Sequence, residues 1–583
     1  MNLALALLFV ISTLGNIGSI SPSSRGVTSL DPAGARTGRI FWVLRGPNDF
    51  YRAVSARLLA TTTHFCVWAE DSTVHLAQPM VRSVQRLEGA LQTGILGAEL
   101  QELERRGLSP FPLHVLFARI EGMGGYFSSV DLGRFGQHPY SNSLPLVYIS
   151  TASCVPGQLC SVGLLAHELQ HYLQYLLDQS EEDWLNEGLS ELAEAQVQGQ
   201  ELAALALPAL QCTDFPLFRW PIGGEGLSTH YRASAGFLAF WAQQFGEQAL
   251  NRLAVSPQQG IKALRNSSSE GPCRQSDLGG LYVHWVGELF SRSGHGAPSP
   301  QSGGGACGTA SYHELNPSRS LLDTVSQFGC DVIRLPPGQG SVAFAGTPSV
   351  PRVPVGAYEG DYLWWSGATS NSTHYLTRSF DLSRLASAHL SYWTWYELED
   401  GYDYAYVLIS SDKGESWQLL ASPHMMASNP RGNSPGWGYT GRSGGWIHDE
   451  LDLTTYVGGP AVVRFVLQTD DVAQGLGFFL DGLAIPELGY HQPDAAEDGW
   501  LAEGFSLVSA RERLAQNYAL LEVMPNARYQ VLRAGQPPAG GWEIVLAPLA
   551  QPRDLLICAL AAESLSRAPY LVRLQDWHGS CCS

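Results

Sequence analysis

An α+β domain followed by all-β sandwich domains is the architecture this 583-residue sequence predicts. Three observations predict it. Strand-like apolar runs mix with helical stretches over residues 35–155, and a mostly helical periodicity fills 161 to about 290. Past residue 336 or so the helical period gives way to short apolar alternations punctuated by Gly, Asp and Pro, the pattern of β-sandwiches. Between these regions, Ser291 to Gly305 is rich in Gly, Ser and Pro and reads as a linker or exposed loop.

The apolar run from Leu3 to Leu14 fits the hydrophobic stretch of a signal peptide and is too short to span a bilayer comfortably. Residues 1–29 are therefore read as a signal and leader, which implies a secreted, extracellular protein. Residues 30–295 form the first domain. Its strands are expected at Ile40–Leu44, His64–Trp68 and Leu113–Ala118, with a helical stretch from Val81 to Arg106. From residue 161 onward Leu165, Leu169, Tyr172, Leu173 and Leu176 recur at helical spacing, with no Pro between Val162 and Ser180 and Ser161 as a candidate N-cap.

That helix carries His167-Glu168-Leu169-Gln170-His171. Positions i and i+4 share one helix face, so His167 and His171 can offer two imidazoles to one ion, with Glu168 beside them as a general base. A catalytic zinc takes three protein ligands and keeps an open position. Asp183-Trp184-Leu185-Asn186 starts a second helix, with Leu189, Leu192 and Ala193 as its apolar stripe, and Glu187 on it completes a His₂Glu set. Glu191, one turn further, can accept a hydrogen bond from the second nitrogen of a ligand histidine. Glu194 reads as a solvated helix face. An oxyanion needs a further donor, for which Tyr231 and His230 are the neighbouring candidates and Tyr231 the preferred one. The chemistry expected is peptide-bond hydrolysis by an activated water.

These motifs, with Trp184-Leu185-Asn186-Glu187-Gly188-Leu189-Ser190-Glu191, resemble the thermolysin-like gluzincin class, and most of all secreted bacterial hyicolysin-type peptidases. The resemblance covers most of residues 35–290, including Gly124-Gly125-Tyr126-Phe127, Ser141-Asn142, Leu146–Ile149, His230-Tyr231 and Phe237–Trp241. It implies a zincin-like fold, His167, His171 and Glu187 as zinc ligands, and Glu168 as base. The interval from His171 to Glu187 is shorter than in thermolysin.

Residues 296–335 are expected to be a linker or transition segment, 336–490 a jelly-roll-like β-sandwich and 491–583 a small C-terminal β domain. The stretch from Gly360 to Asp481 resembles the C-terminal sandwich of immune inhibitor A-type metalloproteases, through Leu363-Trp364-Trp365, Leu376–Leu382, Tyr402–Val407, Ser443–Trp446 and Gly477–Asp481. The resemblance implies calcium there, and Asp361, Glu399, Asp403 and Asp481 are oxygen donors of the kind calcium takes. Without it they read as turn residues and rim charges. Ser410, Asp412, Gly414 and Trp417 match the Asp-box pattern of sialidase propellers, but one copy does not make a propeller and the motif is read as a hairpin turn. Trp364, Trp365, Trp393, Trp395 and Tyr396 are read as packing in preference to a sugar platform.

The formal charge of 35 − 54 = −19 argues against nucleic-acid partners and anionic membrane surfaces. Ten cysteines without a Cys-x-x-Cys pair fit disulfides, with Cys154 and Cys160 able to close a small loop. The expectation is a monomer with protein or peptide substrates, surface or matrix ligands for its β domains, and no transmembrane segment beyond the signal. The main rival is an inactive zincin-like adhesive protein that binds through its sandwiches, and the second is an exo-acting glycosidase suggested by the Asp-box match.

Overall fold

A computed structural model describes residues 38–46, 51–132, 139–206, 214–220, 227–267, 278–292, 312–429, 431–470, 475–492, 498–526 and 528–578. The expected signal segment lies outside them. No described helix is long and apolar enough to cross a membrane.

The first part is built on a six-stranded mixed sheet: β1 (Gly38–Leu44), β2 (Tyr51–Thr61), β3 (Phe65–Glu70), β4 (Leu113–Ala118), β5 (Gly125–Phe127) and β6 (Leu146–Ser150), in the order β1-β2-β3-β4-β6-β5. β3, β4 and β6 run parallel, and the other pairings are antiparallel. Apart from His114, β4 is apolar because both faces are covered. Val115 and Phe117 join the helical core, while Leu116 and Ala118 join a second cluster with Phe41, Val43 and Trp68.

The helices are α1 (Ala77–Glu88), α2 (Gly94–Arg105), α3 (Leu159–Leu177), α4 (Asp183–Val197), α5 (Leu202–Leu205), α6 (Leu227–Phe245), α7 (Glu247–Ala254), α8 (Gly260–Ser267) and α9 (Leu278–Arg292). The stretch expected as one helix from Val81 to Arg106 is two, α1 and α2, parted after Gly89. Periodicity alone carries through such a break because both halves bury the same kind of stripe, Val84 and Leu87 before it and Ile95 and Leu103 after it.

The segment from 312 onward is not a linker. Tyr312–Glu314, Ser320–Val325, Cys330–Leu335 and Gly338–Gly346 are strands, and they pair with strands from the far end of the chain. One sheet runs Trp542–Leu549, Gly338–Gly346, Ala568–His578, Ser320–Val325. The other runs Arg528–Gly535, Tyr518–Met524, Arg553–Ala559, Cys330–Leu335, Tyr312–Glu314. Val325, Ile333, Val342, Leu520, Ile557 and Val572 are among the residues that fill the core of this sandwich. Its outer face lies on the helical part, with Leu521 and Leu556 in the helical core and Tyr529 against α9 at Gly287.

A different sandwich sits between these two chain segments. Its first sheet contains Ile447–Asp452, His389–Glu397, Gly477–Ile485, Tyr362–Trp365 and Ser506–Ser509, and its second contains Tyr404–Ser410, Pro460–Gln468, Thr373–Asp381 and Leu501–Glu503. The expected boundaries at 336 and 490 therefore differ from the sheet pairing, in which strands as late as Ser506–Ser509 complete the inner sandwich and Gly338–Gly346 belongs to the outer one. Period-two alternation is clear in strands such as His389–Glu397, but it does not say which sheet the strand joins.

Candidate active site

α3 and α4 lie against each other, and the site is at their contact. α3 begins at Leu159 with Gln158 before it and no side-chain cap. Ser161, expected as the cap, is inside the first turn and buried, with its hydroxyl unpaired. Cys154 and Cys160 are disulfide-bonded across the loop that leads into α3. At the start of α4, Asp183 accepts a hydrogen bond of 3.0 Å from Ser370 of the inner sandwich, which fixes that end of the helix.

His167 Nε2 and His171 Nε2 are 3.1 Å apart, and Glu187 Oε2 is 3.3 Å from each. All three groups are nearly enclosed. Among the described residues Glu187 Oε2 faces only the two imidazoles, while its partner Oε1 accepts a hydrogen bond of 3.1 Å from the Tyr231 hydroxyl. Donor atoms arranged tetrahedrally about an ion with bonds of ~2.0–2.1 Å are separated by ~3.3–3.4 Å, so this triangle has the dimensions of a zinc ligand set. Electrostatics agrees. Burial disfavours charge on both imidazoles, but the Glu187 carboxylate outweighs it and raises His171, and raises His167 to about 10. Burial likewise opposes charge on Glu187, and the two histidines reverse that and hold it well below the usual carboxylate range. The pocket thus favours positive charge facing Glu187.

Glu168 is also buried. Burial pushes its carboxyl up to about 7, against the pull of His167 and His171. Its Oε1 lies against β5: a Cβ on Gly125 would sit 3.0 Å from that oxygen and 2.5 Å from the Tyr148 carbonyl oxygen. Only glycine lets the backbone of this edge strand run so close to the carboxylate.

The two oxyanion candidates part company. Tyr231 faces the site, with its ring 6.4 Å from that of His167. His230 packs between Phe215 and Trp220, and burial lowers its pKa to about 4. Glu191 and Glu194 both lie 3.9 Å from His167 Nδ1. Glu194 is therefore not a solvated face residue, as its sequence position implied. One turn beyond Glu191 on a helix that turns against α3, it is drawn inward to the same imidazole and to Gln198 at 2.7 Å. The sequence reading assigned no role to Asn186 Oδ1 and Ser190 Oγ, each 3.2 Å from His171 Nδ1. Their spacing one before and three after Glu187 is the signal that was available.

Asp361, Glu399, Asp403 and Asp481 do not form, among the described residues, a group of three close enough to share an ion. Asp361 pairs with Arg511 at 2.5 Å. Asp481 accepts backbone N–H bonds from Tyr358, Glu359 and Gly482. Asp403 accepts from the amides of Asp470 and Glu399. Among the described residues, the groups of three or more His, Cys, Asp or Glu close enough to share an ion are both built on His167. The Asp-box residues form a hairpin turn, in which Asp412 accepts from Ser410 at 2.6 Å and from the Ser416 amide at 2.9 Å. Trp393 and Trp395 alternate with buried Tyr392, Thr394 and Tyr396 along one strand. Trp393 stacks on Tyr358 at 3.6 Å and Trp395 packs edge-on against Phe479.

Residues 348–510 match the family model of the immune inhibitor A-like MAM domain. These bounds coincide with the inner sandwich and leave the outer one and the helical part outside. Over 101 residues the chain is 26% identical to Bacillopeptidase F of Bacillus subtilis (strain 168), a stretch that is 17% of this chain and 6% of that protein. The chain thus spans only a small part of the length of the relative it matches. Both likenesses connect the chain with peptidase-associated proteins.

Proposed function

We propose that this chain is a secreted zinc-dependent endopeptidase. The observation that carries the reading is the triangle of His167 Nε2, His171 Nε2 and Glu187 Oε2, with edges of 3.1 to 3.3 Å and a buried carboxylate oxygen at one corner. His167, His171 and Glu187 would hold the metal. Zinc, when bound, supplies Lewis-acid polarisation of the scissile carbonyl and acidification of water.

The chain's own groups do the rest. Glu168, with a carboxyl raised toward neutrality, removes a proton from the attacking water at Oε1 and returns it to the departing amine. β5 is the end strand of its sheet, and its outer edge offers main-chain groups to an extended peptide beside Glu168. That mode requires few specific side chains. Tyr231 donates to Glu187 Oε1 and is the one of the two oxyanion candidates whose polar group is directed at the site. The sandwiches position the enzyme on large protein substrates or surfaces.

Digestion of casein by the purified full chain tests the reading. Cleavage that a chelator abolishes and zinc restores is expected, as is a drop of ~10²–10⁴-fold in kcat/KM for Glu168→Gln with zinc retained. Full activity in the chelated protein, or in Glu168→Gln, would overturn it.

A further inference from the structure

The second nitrogen of His171 opens onto a buried line of side chains that leads away from the site. Nε2 faces His167 and Glu187, so in a ligating imidazole Nδ1 carries the proton. Nδ1–H has Ser190 Oγ and Asn186 Oδ1 as acceptors, each at 3.2 Å. The Ser190 hydroxyl, its lone pairs turned to His171, donates to Gln170 Oε1. The Gln170 amide nitrogen donates at 2.8 Å to Glu99 Oε1 on α2. The Asn186 carbonyl oxygen, 3.2 Å from Ser190 Oγ, is the other acceptor within reach of that hydroxyl, and with the proton on Gln170 the donors run from the imidazole toward the carboxyl.

The end of the line is unusual in its surroundings. Ser190, Gln170 and Glu99 are fully buried, and Glu99 interrupts the apolar stripe of Ile95, Leu96 and Leu103 on its own helix. Burial with no cation beside it raises the Glu99 carboxyl well above its ordinary value, and its Oε2 has no hydrogen-bond partner among the described residues. A buried polar group with one partner costs stability, so packing alone gives no reason for Glu99 here. Orientation of a metal-binding histidine does give one, because the group that holds the distal nitrogen fixes both tautomer and ring angle.

Resting on the metallopeptidase reading, we propose that Ser190, Gln170 and Glu99 are positioning residues that hold His171 in its Nδ1–H form with Nε2 directed at the metal. The relay reaches from α2 through α3 to α4, so it also ties the ligand to a helix that contributes no ligand itself. Glu99 and Gln170 touch neither substrate nor the reacting atoms, and they act through the imidazole.

Two readouts on the full-length apo-protein test this. One is zinc affinity by competition with a chromophoric chelator, and the other is the His171 tautomer in ¹H–¹⁵N spectra of histidine-labelled protein, taken at alkaline pH because Glu187 favours the protonated ring below it. Ser190→Ala, which only removes an oxygen, is expected to weaken zinc binding ~10–100-fold and to mix the tautomers. Glu99→Leu is expected to do the same, and Glu99→Gln, which keeps an acceptor for Gln170, to restore wild-type values. Unchanged affinity and tautomer in Ser190→Ala and Glu99→Leu, with only thermal stability altered, would overturn the relay and leave the peptidase reading standing. A wild type that binds no zinc, with a tautomer that Ser190→Ala still disturbs, would keep the relay and remove the peptidase reading.

Discussion

The helix pair α3–α4 and the inner sandwich are both supplied with acidic side chains, and they use them in opposite ways. Around His167, the carboxylates of Glu187, Glu191 and Glu194 crowd within 3.3 to 3.9 Å of one imidazole. In the sandwich Asp361, Asp403 and Asp481 are each occupied separately, by an arginine or by backbone N–H groups. Carboxylates that share a point demand a cation, whereas carboxylates with partners of their own serve turns and strand ends. The same residue types thus crowd one imidazole in one region and secure the backbone in the other.

The comparison breaks first at Glu187. Glu187→Ala is expected to leave the dialysed protein without zinc by metal analysis, while Asp481→Ala retains it. Retained zinc in Glu187→Ala would shift the site to His167, Glu191 and Glu194, which form the other group close enough to share an ion. A smaller effect is expected at Asp131, whose carboxyl accepts from Tyr148 at 2.5 Å and is raised by burial to about 6. A raised folded-state value means the carboxyl favours its protonated form, so its stabilising contribution is full below pH ~4 and is lost as pH rises through about 6. Asp131→Asn should therefore flatten the pH dependence of the urea midpoint between 4 and 6, with on the order of 3 kcal/mol at stake above it.

Gly188 sharpens the comparison from the packing side. A Cβ there would lie 2.6 Å from Leu238 of α6, so Gly188→Ala should lower stability by ~1–3 kcal/mol and disturb the neighbouring Glu187. The thermal midpoint and the zinc affinity should fall together. The smallest change is expected for Asp361→Asn, which removes a pair with the mostly exposed Arg511. Less than ~1 kcal/mol is expected in denaturant titration, with zinc content unaltered.

What could be read from the sequence follows from the same contrast. Within one helix, His167 and His171 meet because 3.6 residues make a turn, and no other part of the chain need be known. Trp184 to Glu187 added a second helix whose apolar stripe fixes its facing side, so Glu187 was legible as well. Glu99 was not, because nothing local announces that α2 packs beside Gln170. Cys330–Leu335 likewise fell in the stretch read as a linker, and nothing local showed that Arg553–Ala559 and Ala568–His578 are the partners of Cys330–Leu335 and Gly338–Gly346. Register between distant strands is decided by the assembled sheet, and acidic residues scattered over such strands cannot be gathered into a site by inspection.

The nested order of the two sandwiches has a practical consequence. Ser349–Pro351 pairs with Arg513–Ala515, so the chain leaves for the inner sandwich and returns from it at neighbouring points. That module can be excised and its ends rejoined by a short peptide without unpairing the platform beneath it. Stopping translation after residue 510 is another matter. It would strip Tyr518–Met524 and Arg553–Ala559 from under α9, leave Cys330–Leu335 without its neighbour, and bare the oily underside of the helical half. The tail of this polypeptide is therefore a foundation for its head.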